Sequence, residues 1–69
     1  MEFELKEDSE YIELIKLLKA TQMAESGAQA KQMVEEGSVL VDGQVEYRKR
    51  AKIKRGSTVD VFDRKIYTK

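Results

Sequence analysis

At Gly37 the spacing of the apolar residues changes from helical to alternating, and Asp42-Gly43 then divides the alternating stretch in two. Val39 and Val41 precede the dipeptide; Val45 and Tyr47 follow it. An Asp-Gly between two alternating runs signals a two-residue hairpin, because a type I′ turn needs positive φ at both central residues. A helix closed by glycine and followed at once by a hairpin commits the chain to mixing both kinds of structure around one core. That core is thin: a chain of 69 residues buries only about 60% of the surface its unfolded form exposes.

Upstream of Gly37 the spacing predicts two helices. Tyr11, Ile12, Leu14, Ile15, Leu17 and Leu18 recur at helical intervals between Glu10 and about Thr21, a broad apolar face. Asp8 or Ser9 is the expected cap, with Glu10 and Glu13 at the positive end of the dipole. The second helix reads from "ESGAQAKQMVEEG". Ser26 and Gln29 form a Ser-x-x-Gln capping box, Ala30, Met33 and Val34 the buried stripe, and Gly37 the left-handed closing residue.

Around these helices the chain alternates. Glu2 to Lys6 place Phe3 and Leu5 on one side of a short strand. After the hairpin come an irregular basic stretch, a turn at "KRGS", a strand "TVDVF", a turn at Asp63-Arg64 and a last strand "IYTK". The expected fold is α+β: two helices packed on one side of a small, mostly antiparallel sheet, with the first strand beside the last ones.

Composition narrows the chemistry. The chain has no cysteine and no histidine, so disulfides, thiolate metal sites, the commonest general base and the commonest zinc ligand are all missing. No segment approaches the roughly 18 apolar residues of a membrane helix, and the acidic start "MEFELKEDSE" does not read as a signal peptide. "GSVLVDG" and "SGAQAK" lack the Gly-Lys-Ser/Thr ending of a phosphate loop. The expectation is a cytoplasmic, non-enzymatic domain with no cofactor, no metal and no membrane contact.

Charge gives the positive signal. Up to Glu46 there are four basic residues against eleven acids, a net charge of −7; from Tyr47 onward there are nine against two, a net charge of +7. Arg48, Lys49, Arg50, Lys52, Lys54 and Arg55 lie in eight consecutive positions with no acid among them. Their repulsion is unrelieved within the segment, and a phosphate backbone relieves it with release of counterions. Lys31 adds a cation in the first turns of the second helix, where Ser26, Gly27 and Gln29 surround backbone N–H groups that already favour anions. The candidate site is therefore Ser26, Gln29 and Lys31 together with the six basic residues. Arg48 and Arg50 are suited to bidentate phosphate contact.

The run "SGAQAKQMVEEGSVLVDGQVEYRKRAKIKRGSTVDV" resembles the RNA-binding domain named after ribosomal protein S-four, the αL motif. That motif opens its second helix with Ser-Arg-Ser-x-Ala-Arg, continues with Gly-x-Val-x-Val-Asn-Gly and ends with Val-x-x-Gly-Asp-x-Val. Gln29-Ala30-Lys31 stands where the family has x-Ala-Arg. Gly37, Val39, Val41, Asp42 and Gly43 follow the second run, and Ile53, Gly56 and Val59 follow the ending. Gly27 stands where the family often has arginine, which shifts the weight of binding to the downstream cluster. The likeness covers about residues 10 to 62 of a single domain, residues 1 to 69, and looks closer to the small stand-alone bacterial members of the family, the YbcJ type, than to the domain appended to larger enzymes. It implies binding, without chemistry, of structured RNA of the ribosomal or transfer RNA class, by a monomer that can work beside a ribosomal or RNA-modifying partner protein.

Two other readings use the same residues. As a protein-interaction module, the basic strip would dock on an acidic partner. As a DNA reader, the second helix would enter the major groove, but with Glu35, Glu36 and a single lysine it is poorly equipped to do so. The aromatic residues are expected mostly in the core, leaving Tyr47 and Tyr67 as candidate base platforms and shape as the main basis of RNA recognition.

Overall fold

The computed structural model describes residues Met1–Lys69. The chain runs β1 (Glu2–Phe3), β2 (Tyr11–Glu13), α1 (Leu14–Ala20), α2 (Gly27–Glu35), β3 (Val39–Val41), β4 (Gln44–Val45), β5 (Lys52–Lys54), β6 (Thr58–Val61) and β7 (Arg64–Thr68). A five-stranded sheet has the order β1-β7-β6-β3-β4, antiparallel except for the parallel β1–β7 pair. A separate ribbon pairs β2 with β5. The fold is α+β, as the sequence predicts, and β1 lies beside the last strand.

The second helix also forms as expected. Ser26 Oγ accepts the Gln29 N–H at 3.1 Å, and Gln29 Oε1 accepts the Glu25 N–H. At the other end Ser38 N–H donates to Met33 O and Gly37 N–H to Val34 O, both at 3.1 Å. With Gly37 at φ +77, this is a complete Schellman closure. The hairpin turn has Asp42 at φ 51 and Gly43 at φ 86, joining Val41 to Gln44.

The first helix is shorter than its apolar spacing predicts. It starts at Leu14, its N-cap is Glu13 in an extended conformation, and no side chain caps it. Residues 11 to 13 are a strand instead. The reason lies far away in sequence: Tyr11, Ile12 and Glu13 pair with Lys54, Ile53 and Lys52. The first N–H groups of α1 are satisfied by the same segment, Leu14 donating to Ala51 O at 2.9 Å and Ile15 to Lys49 O at 3.2 Å. Helix starts leave such donors unpaired unless something accepts them, and here the basic loop does.

The segment expected to be irregular surface thus contains β5 and two core anchors, Ala51 and Ile53, both buried. They join Leu14, Leu17 and Leu18 of α1, Ala30, Met33 and Val34 of α2, and Val39, Val59, Val61 and Ile66 of the sheet. The last turn lies one residue earlier than its sequence signal, at Phe62-Asp63, since Val61 pairs with Arg64. The apolar alternation of the hairpin fails at its second strand: β4 is a sheet edge, and Val45 and Tyr47 are exposed.

Candidate nucleic-acid interface

The loop from Glu46 to Ala51 is fixed at both ends. Glu46 N–H continues the hairpin ladder to Val39 O at 2.9 Å. Its carboxylate then accepts three bonds from Arg48: the backbone N–H at 3.0 Å, and Nε and Nη2 at 3.1 Å each. These contacts, the Arg48 side chain first, hold the Glu46 carboxyl below its ordinary range. At the far end Ala51 is buried and its carbonyl caps α1. Lys49 and Arg50 are therefore presented from a braced backbone beside the start of a helix.

The structure does not leave the basic charges unrelieved, as the segment read alone suggests. Lys49 lies 3.3 Å from Glu35 of α2, and Arg50 lies 3.5 Å from Glu13. Lys52 sits 5.0 Å from the centre of the Tyr11 ring. The acids come from other elements, which inspection of the local charges cannot foresee. These pairs are exposed, with the side chains of Arg48 and Arg50 79% and 80% accessible, and exposed pairs contribute only about 0–1 kcal/mol. The cations remain free to exchange a carboxylate for another anion.

Lys31 lies on the same side of the molecule as Arg50. It lines one shallow depression with Lys49, Arg50 and the half-buried Ile15. Arg50 also borders a second depression with Arg48, Ala51 and Lys52, and a third with Tyr11, Glu13 and Lys16. Lys54 is exposed at the end of the ribbon, where it pairs with Tyr11.

Ser26, Gln29 and Arg55 are placed differently. Gln29 is two residues from Lys31, about 200° around the helix, so the two leave opposite flanks and do not meet. Ser26 and Gln29 accept hydrogen bonds within the helix start, away from the depression that holds Lys31. Arg55 donates to the carbonyls of Ser9 and Lys6 at 2.6 and 2.7 Å and braces the loop between β1 and β2.

Sequence reasoning passed over Lys16 and Lys19. Lys16 Nζ is 3.4 Å from Glu13, whose other oxygen faces Arg50. The Lys19 stem lies over Gly27, its Cδ 4.0 Å from the point a Cβ would occupy there. Their i, i+3 spacing on α1 was the available signal. Tyr47 and Tyr67 are exposed, as candidate platforms must be, but Tyr11 and Phe62 are exposed too, against expectation, and only Phe3 is partly buried.

Two short helices against a mixed sheet, with Lys31 of α2 meeting Lys49 and Arg50 of the loop after the hairpin in one depression, define a small α+β module. The S4 domain model matches residues 3–68, and the chain belongs to that family. YbcJ of Escherichia coli (strain K12) and YbcJ of Shigella flexneri are each 57% identical to it over 49 residues, 71% of this chain and 70% of theirs. The solution structure of YbcJ from E. coli superposes with a TM-score of 0.74 at 45% identity, covering 97% of this chain and 84% of that one. That structure is described as revealing an αL motif involved in RNA-binding.

Proposed function

We propose that residues 1–69 act as one cytoplasmic, monomeric and non-catalytic RNA-binding domain. Its target is structured RNA of the ribosomal or transfer RNA class, met alone or beside a ribosomal or RNA-modifying protein. Lys31, Lys49 and Arg50 are the centre of the contact, with Arg48, Lys52 and Lys54 along one side and Lys16 and Lys19 along the other. Ser26 and Gln29 contribute by holding the α2 start, and Arg55 by bracing the ribbon. The observation that carries this reading is the meeting of Lys31 with Lys49 and Arg50 in one depression although they lie on separate elements. The described role of the YbcJ αL motif supports the choice of RNA among polyanions.

The test is fluorescence anisotropy of structured ribosomal RNA fragments over a salt series. Eight phosphate contacts, one per cation, give a log–log slope of roughly −5 to −6, at about −0.7 per contact with a single strand. Lys31→Glu and Arg50→Glu should each weaken binding while circular dichroism stays unchanged. A folded wild type that binds none of these fragments at low salt removes the reading.

A further inference from the structure

Tyr47 is an aromatic placed where the fold does not need one. It follows the edge strand β4, is 64% exposed and belongs to no core cluster. Its position is nonetheless fixed from three sides. Glu46 before it is tied to Val39, Arg48 after it is tied to Glu46 by three hydrogen bonds, and the ring itself lies on Gly37. The Oη, Cε1 and Cζ atoms are 3.3, 3.5 and 3.7 Å from the point a Gly37 Cβ would take. Gly37 thus has two jobs: its φ of +77 closes α2, and its missing side chain seats the ring.

We infer that Tyr47 is a stacking platform for one unpaired base of the bound RNA, at the end of the cationic face; the inference rests on the RNA reading above and extends it. An exposed ring whose position is already set loses little freedom on binding, and a base stacked on an aromatic side chain contributes substantially to single-strand affinity. The surroundings select a nucleotide. Arg48 adjoins the ring in sequence, and Lys49 lies against Glu35, two residues before the glycine that seats it. A base on Tyr47 therefore places its flanking phosphates within reach of those cations. The other exposed rings are less suited. Lys52 stands over Tyr11, Phe62 borders a depression formed by Gln22, Met23, Val61, Asp63 and Arg64, with no residue of the basic loop, and Tyr67 lies on β7, separated from the β4 edge by β6 and β3.

The experiment compares an RNA hairpin carrying 2-aminopurine in its loop with a blunt duplex of the same stem, for wild type, Tyr47→Phe and Tyr47→Ala. Wild type and Tyr47→Phe should prefer the hairpin by about ten-fold and quench its fluorescence. Tyr47→Ala should lose both the preference and the quenching while keeping the duplex affinity and the salt slope, since no phosphate contact is removed. Equal loss on hairpin and duplex would make the ring a structural prop and overturn the inference. So would a wild type that binds both RNAs alike, or a Tyr47→Ala variant that still prefers the hairpin. A wild type that binds neither RNA would remove the RNA reading as well.

Discussion

Glu13 stands between two cations, with Arg50 Nε 3.5 Å from one carboxylate oxygen and Lys16 Nζ 3.4 Å from the other. Glu13 ends the strand paired with β5 and is the N-cap residue of α1, so one acid links the ribbon, the helix start and the basic loop. As the N-cap residue of α1, Glu13 also sits at the positive end of the helix, where an acid is favoured.

The proposed RNA contact takes in Lys16 and Lys19 of α1, and each should add to binding without adding to stability. Lys16→Ala and Lys19→Ala are expected to reduce the magnitude of the salt slope by about 0.7 each. Both melting temperatures should stay close to wild type, because exposed pairs contribute little. Titrations from about 50 to about 200 mM salt check this; an unchanged slope in both variants would confine the face to α2 and the loop.

Ser26 is a cap in this structure, so its loss should affect stability first. Ser26→Ala removes the acceptor for the Gln29 N–H and is expected to destabilise the domain by about 1 kcal/mol. For a domain of this size that is roughly 4–8 °C in Tm. RNA affinity measured well below the transition should remain near wild type. A large loss of affinity with no change in Tm would instead make the hydroxyl a direct contact.

Phe62 has φ 55 in a two-residue hairpin turn while 78% exposed. The left-handed region costs a non-glycine residue about 1–2 kcal/mol, and glycine brings back about 0.5–1 kcal/mol of chain entropy. Phe62→Gly should therefore raise stability by about 0.5–1 kcal/mol, seen as a higher midpoint in urea. A lower midpoint would mean that the ring packs more firmly in solution than its exposure indicates.

Acid should loosen the hairpin flank. Hydrogen bonds from Arg48 lower the Glu46 pKa from its ordinary 4.5. The unfolded chain therefore binds the proton first, and the Glu46 contribution is complete above pH 4.5 and lost as pH falls through the folded value. Glu2 is lowered in the same direction by Lys69, 2.8 Å away. Thermal melts of wild type and Glu46→Gln should differ at neutral pH and converge in acid; a constant gap would assign the difference to packing.

The elements whose signals are local were legible in the sequence. Ser26, Gln29 and Gly37 define α2 by hydrogen bonds made within a few residues, and Asp42-Gly43 defines its turn by backbone preference alone. The charge concentration and the motif spacing were equally plain. The start of α1 was not legible. Tyr11 and Ile12 carry a helical spacing, and they form a strand because Ile53 and Lys54, more than forty positions on, offer a ladder. Nor could the sequence say that Lys31 meets Lys49 and Arg50 while Gln29 turns away, that Arg55 braces a loop, or that Glu13, Glu35 and Glu46 shield the basic strip. The sequence determined which local structures this chain can form and how much positive charge it gathers. Tertiary structure decided the limits of α1 and the partners of each cation, because those depend on contacts between distant segments that compete with local preference and here prevail.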